Sequence, residues 1–281
     1  MHTIRLESPR FPALLVQIPD PPEELWIRGD LSLCDKPAVA VVGARAASRG
    51  GMAIAAAIAG DLARAGVVVV SGLARGIDSA AHIAALDAGG KTIAVLGTGI
   101  DVVYPAEHRE LTERIARDGL LITEFLPGSP PEVFHFPRRN RLISGLSRGV
   151  VVVEAAEKSG SLITARLAAD QGREVMVVPG PVLGGRNRGA HALIRDGAKL
   201  VESAVDILQE LGLVSATAGL SLPRRSPGGE GGESVEFTVD DIARQLELPT
   251  GEALARLLEW ELTGEIQRIG SGRFVRSQSK V

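Results

Sequence analysis

Three arginines fall within four residues in Pro137-Arg138-Arg139-Asn140-Arg141, directly after Phe134-His135-Phe136. Guanidinium groups this close repel one another, and a bound anion is a direct way to hold them. Arginine also contacts phosphate in bidentate fashion and stacks on flat rings. Phe125, Phe134 and Phe136 supply three of the chain's nine aromatic residues within or just before this stretch. Cations for phosphates beside rings for bases are what a single-stranded nucleic-acid groove needs. Stacking there contributes roughly 1–3 kcal/mol per base without demanding a sequence. Phe125 and Phe134 also read as ordinary core residues, so Phe136 and the arginines carry the signal.

Three further turns have the chemistry of phosphate cradles. Val42-Gly43-Ala44-Arg45 leads to a helix opening near Ser48-Arg49-Gly50, with Gly43 for close approach, Ser48 as a cap and Arg45 as a cation at the mouth. Ser71-Gly72-Leu73-Ala74-Arg75-Gly76-Ile77-Asp78 repeats the pattern, and Lys158-Ser159-Gly160-Ser161-Leu162-Ile163-Thr164 does so with a lysine in front. Helix N-termini attract anions because their unpaired N–H groups and the helix dipole point outward. Aspartate before a helix is most often an N-cap, which is the role expected of Asp78; His82, one turn further on, reads as a structural hydrogen-bond partner.

Other site chemistries lack their signatures. There is no Gly-x-x-x-x-Gly-Lys-Ser/Thr and no Gly-x-Gly-x-x-Gly after the first strand, which argues against a P-loop and against ordinary dinucleotide binding. The five histidines show no metal-ligand spacing, and no nucleophile with a nearby base stands out. No cofactor, metal or catalytic residue is therefore expected. The competing reading is a nucleotide-processing enzyme of a Rossmann-like hydrolase type with Glu154 as base. Such an enzyme needs a small closed pocket, whereas here the basic residues are spread over four or five loops.

The elements that must position these turns are legible as alternating runs. Val39–Val42, Val67–Val70, Thr92–Leu96, Leu120–Thr123, Val150–Val153 and Glu174–Val178 are nearly all apolar, as parallel strands buried on both faces should be. Met52–Ala65, Ser79–Ala88, Glu107–Arg117 and Ser161–Gln171 have helical length and composition. The alternation predicts an α/β fold, a parallel sheet with helices on both faces, whose ligands lie beyond the carboxyl ends of the strands. The expected organisation is a lead-in over 1–37, this domain over 38–214, a Gly/Ser/Pro-rich flexible linker over 215–233, and a small winged-helix-like domain over 234–281. In the last, helices from Thr238 and Gly251 precede a hairpin of Ile266–Ile269 and Arg273–Arg276 about Gly270-Ser271-Gly272.

Composition sets outer limits. A chain of 281 residues with one cysteine, Cys34, has ample core and no disulfide framework. The formal net charge is −3, so a nucleic-acid site must be a local concentration of charge. No apolar run is long enough to span a bilayer and no leader stands out; a cytoplasmic protein without membrane contact is expected.

Assembled in order, these pieces resemble the DNA-processing protein A (DprA/Smf) family across about 200 residues: Phe11-Pro12-Ala13-Leu14-Leu15, Asp20-Pro21-Pro22, the Gly43 turn, the Ser71–Asp78 turn, Phe136-Pro137-Arg138-Arg139-Asn140-Arg141 and the Ser159–Ala165 segment. The resemblance implies an extended Rossmann-like parallel sheet with helices on both faces, in a homodimer that binds single-stranded DNA, protects incoming DNA in natural transformation and helps load the RecA recombinase. By position it implies phosphate contacts from Arg45, Arg75, Arg138, Arg139, Arg141 and Lys158. It places Asn140 and Phe136 nearest the bases, and the small and hydroxyl residues Gly43, Ser48, Ser71, Gly72, Ser159, Gly160, Ser161 and Thr164 around them. Ala44 stands where the family commonly has serine or threonine. Residues 234–281 hold eight acidic and six basic residues, an unpromising charge for reading duplex DNA.

Overall fold

The computed structural model describes residues 1–213, 236–238, 266–270 and 273–276. It divides into two units, Met1–Leu220 and Ser221–Val281. The first is organised by a nine-stranded sheet of β1 (His2–Arg5), β2 (Glu24–Gly29), β3 (Ala38–Gly43), β4 (Val68–Ser71), β5 (Thr92–Val95), β6 (Leu120–Thr123), β7 (Gly149–Val153), β8 (Glu174–Val178) and β9 (Lys199–Leu200). Their order is β1-β2-β6-β5-β4-β3-β7-β8-β9, and β3 through β9 are mutually parallel. All six strands read from apolar runs are present.

Alternation along each strand sends successive side chains to opposite faces. Val39, Val41, Val69, Val151 and Val153 pack against Ala55, Ile58 and Leu62 of α2 (Arg49–Arg64) and Ala81 and Ala85 of α3 (Ile77–Asp87). Ile207 of α8 (Ala204–Glu210) joins the same cluster, and α4 (Arg109–Asp118) adds Leu111 and Ile115 against Ala94 and Leu121. The other face, with Ala40, Val42, Val70, Val95 and Val152, packs on Leu142, Ile143 and Leu146 in and after α5 (His135–Gly145) and on Ala165 and Ala168 of α6 (Ser161–Asp170). Two short helices, α1 (Ala13–Val16) and α7 (Arg188–Arg195), complete the unit.

The lead-in is not a separate segment. Its strands β1 and β2 pair antiparallel with each other, and β2 pairs antiparallel with β6, so residues 1–37 extend the sheet. Leu25 and Ile27 are fully buried while their neighbours Glu24, Trp26 and Arg28 are not. That alternating pattern belongs to an antiparallel strand with one wet face, not to the continuous apolar runs that mark the central strands.

In the second unit, β10 (Glu236–Thr238), β11 (Ile266–Gly270) and β12 (Arg273–Arg276) form an antiparallel sheet in the order β10-β12-β11. The expected hairpin is therefore present. The helices expected from Thr238 and Gly251, and the linker over 215–233, lie outside the described residues.

Candidate nucleic-acid interface

Strand order alone locates the site. The chain runs from β3 outward through β4, β5 and β6, then returns to place β7 on the other flank of β3. The two βα turns that leave β3 and β7 therefore diverge, and a crevice opens beyond their carboxyl ends. A crevice of about 670 Å³ lies there. One wall is Gly43, Ala44 and Arg45, another is Lys158, Ser159, Gly160 and Ser161, and α5 contributes Phe136, Arg139 and Asn140. Among the described residues no helix is long and apolar enough to cross a membrane, and no group of acidic, histidine or cysteine side chains could hold a metal.

Arg45 is exposed and makes no ion pair among the described residues. Its guanidinium lies over the Phe136 ring, 5.1 Å from the centroid, and Tyr104 packs tilted on the same ring at 5.5 Å. The phenyl ring sits above Gly97, where a Cβ would come within 2.8 Å of it. Across the crevice Lys158 is exposed and also unpaired among the described residues, in front of α6. Gly160, which precedes α6, supplies no side-chain cap; Ser159 and Ser161 bond each other through their hydroxyls (2.7 Å), and Ser159 Oγ accepts from the Ser161 N–H (3.4 Å). Asn140 Nδ2 donates to the Gly160 carbonyl (3.4 Å), tying α5 to this turn, and Thr164 lines the floor.

Much of the arginine cluster is neutralised from within. Arg138 and Arg141 lie three residues apart, on one face of α5, and both reach Glu124, whose side chain is 4% exposed. Arg141, itself buried, also binds Asp20 Oδ2 at 3.0 Å and so fastens the lead-in to α5. Neither residue lines the crevice. The expectation that an external anion holds all three arginines is corrected: a buried carboxylate at the end of β6 holds two of them.

Arg139 points the other way, into the space between β4 and β5. It is 3% exposed, donates to the carbonyls of Gly72 (2.6 Å) and Val95, and faces Asp78. Burial lowers its pKa to about 10, partly offset by Asp78, so it stays protonated at neutral pH. Gly72 is needed because a Cβ there would lie 2.7 Å from the guanidinium. Asp78 is the second residue of α3, not its cap; its Oδ2 accepts from the N–H groups of Gly72 (3.1 Å) and Ala74 (3.3 Å). Burial raises its pKa, opposed by Arg139 and those two bonds. The residue preceding α3 is Gly76 at φ +77, where a side chain would strike the carbonyl of Ala44.

Other expected contacts are engaged within the protein. Ser71 Oγ donates to the Val41 carbonyl (2.6 Å) and is buried. Gly43 accommodates Val153 and Ile77, whose Cγ1 would lie 2.6 Å from an added Cβ. Arg75 is exposed but paired with Glu107, which holds its pKa up. Ser48 caps α2 by accepting from Gly51 N (3.0 Å), while its own N–H donates to Glu154 Oε1 (2.9 Å) and its hydroxyl to Glu154 Oε2. A protein carboxylate therefore occupies the anion position at α2, and Glu154, which also accepts from Arg186 (3.4 Å), is not presented to the crevice as a base. His82 meets its expected structural role, with Nδ1 2.7 Å from Thr92 Oγ1. Phe125 is buried as a core residue, whereas Phe134 is 64% exposed, contrary to the core reading. Tyr104, missed in the sequence, could have been suspected as the chain's sole tyrosine lying between a strand end and a proline.

Comparisons with known proteins place the chain in a family. The profile described as DNA recombination-mediator protein A matches residues 2–212, and one described as a DprA winged helix domain matches 235–272. The DNA processing protein DprA of Streptococcus pneumoniae is 50% identical over 200 residues, 71% of each chain. Protein Smf of Escherichia coli is 40% identical over 286 residues, covering 96% of this chain and 76% of that protein. Among solved structures, DprA from S. pneumoniae superposes with a TM-score of 0.72 at 47% identity over 74% of each chain. DNA processing protein A from Helicobacter pylori, a structure described for its single-stranded DNA binding mode, gives 0.67 at 31% identity over 75% of this chain and 96% of that one. The matched description is of a recombination mediator rather than an enzyme, and this chain belongs to the DNA recombination-mediator protein A family.

Proposed function

We propose that this protein binds single-stranded DNA along the crevice between the β3 and β7 turns. In this reading Arg45 and Lys158 take phosphates from opposite walls. The α6 turn, through Ser159, Gly160 and Ser161, takes another, and bases lie toward Phe136 and Asn140. Arg139 acts from beneath, fixing the β4 and β5 ends. The observation that carries the reading is Arg45: an exposed cation with no carboxylate partner among the described residues, laid on an aromatic ring at the rim of a crevice. That combination serves a backbone and a base together. Protection of incoming strands during natural transformation, loading of RecA, a homodimeric state and a cytoplasmic location rest on the family resemblance.

The hydrolase alternative needs a small closed pocket and Glu154 as a free base. The recess behind Phe136 holds about 60 Å³, well short of the roughly 150 Å³ of a cavity that takes up benzene. Glu154 is tied to the α2 terminus. The test is binding of a labelled oligo-dT beside the matching duplex, followed by the ATPase rate of RecA on a single strand coated with single-strand-binding protein. Preference for the single strand and a faster RecA onset with this protein are expected. Equal affinity for both DNA forms would overturn the reading.

A further inference from the structure

Tyr104 has no role in the contacts proposed above, yet it lines both the open crevice and the recess behind Phe136. It is 40% exposed, and its hydroxyl makes no hydrogen bond among the described residues. A tyrosine serving as core is enclosed with its hydroxyl satisfied; this one presents a face. Its loop is held firmly: Val102 N donates to Gly99 O (3.0 Å), Thr98 Oγ1 donates to Val102 O (2.9 Å), and Gly128 N donates to Asp101 Oδ1 (2.7 Å). Pro105 restricts the backbone of Tyr104 itself. On the other side the Phe136 ring is seated on Gly97 and covered by Arg45. Guanidinium, phenyl and phenol thus form one contiguous surface, its two rings inclined by 38°, that is assembled before any ligand arrives.

We propose that Tyr104 is a base-stacking residue, the second aromatic of a platform shared with Phe136, so that the crevice recognises bases as well as phosphates. The inference rests on the single-stranded-DNA reading and adds a base-contacting residue to it. A preorganised ring loses little freedom on binding, which favours stacking over a flexible contact.

The experiment is a cycle between residue and base. Wild type, Tyr104→Ala, Tyr104→Leu and Tyr104→Phe are titrated by fluorescence anisotropy against end-labelled oligo-dT and against an abasic strand of equal length and charge. Tyr104→Ala and Tyr104→Leu should weaken oligo-dT binding about 5- to 150-fold, the range set by one lost base stack. Both should leave abasic binding within twofold of wild type, and Tyr104→Phe should match wild type on both strands. Equal weakening on both strands would assign Tyr104 a merely supporting role and overturn the proposal. So would unchanged oligo-dT affinity in the Ala and Leu variants. Wild type that fails to bind either strand would instead overturn the single-stranded-DNA reading itself.

Discussion

At the scale of single residues, neighbours in sequence take unrelated tasks. Arg138 and Arg141 share Glu124, Arg139 spans two strand-end carbonyls, and Asn140 braces the α6 turn. The sequence displays the cluster but not its partners, because Glu124 and Asp20 lie 14 and 121 residues away from the arginines they bind. Charge density alone could not tell an internally paired guanidinium from a DNA contact. Two substitutions separate these roles. Arg138→Ala should leave single-strand affinity within about twofold, since its side chain lies off the crevice and is turned to Glu124. Arg141→Ala should cost about 3 kcal/mol of stability by leaving buried Glu124 short of its nearer partner. Urea denaturation reads the second; an unchanged midpoint would contradict the pairing.

At the scale of elements, the six central strands were legible because burial on both faces writes an unbroken apolar run. β1 and β2 were not, since a strand with one wet face carries polar residues such as Glu24 and Arg28 that resemble loop sequence beside Pro21-Pro22. The helix N-termini also diverge: α2 is closed by the Glu154 carboxylate, whereas α6 is met only by the Ser159 hydroxyl, a difference no local pattern reveals. Between α3 and β5, His82 sits fully buried. Thr92 donates to the Val69 carbonyl (2.6 Å), so it accepts from Nδ1–H, leaving Nε2 unprotonated and without a partner. Burial, aided by His108 and Arg139, lowers its pKa to about 3. The unfolded chain, with an ordinary histidine pKa near 6.5, then binds more protons than the native state. Stability is fully present above about pH 6.5 and is lost as the pH falls toward 3. His82→Leu should flatten that slope in melts taken across the window; an unaltered slope would contradict the assignment.

At the scale of the whole molecule, a net charge of −3 is compatible with the proposed DNA binding because of where charge is left unpaired. Most cations described above face carboxylates, whereas Arg45 and Lys158 line the crevice without one among the described residues. The large unit matches the family profile by itself, so a protein ending at residue 220 should bind oligo-dT with an affinity within about threefold of the full chain, or roughly 0.7 kcal/mol. A loss of tenfold or more in anisotropy titrations would move part of the site to residues 221–281. The most direct test of the crevice is the salt dependence of oligo-dT binding for wild type, Arg45→Ala and Lys158→Ala. Each phosphate neutralised contributes roughly −0.7 to the log–log slope on a single strand. The account predicts a steep wild-type slope, shallower by roughly 0.7 in each variant. Slopes that coincide for all three proteins would show that neither side chain meets a phosphate.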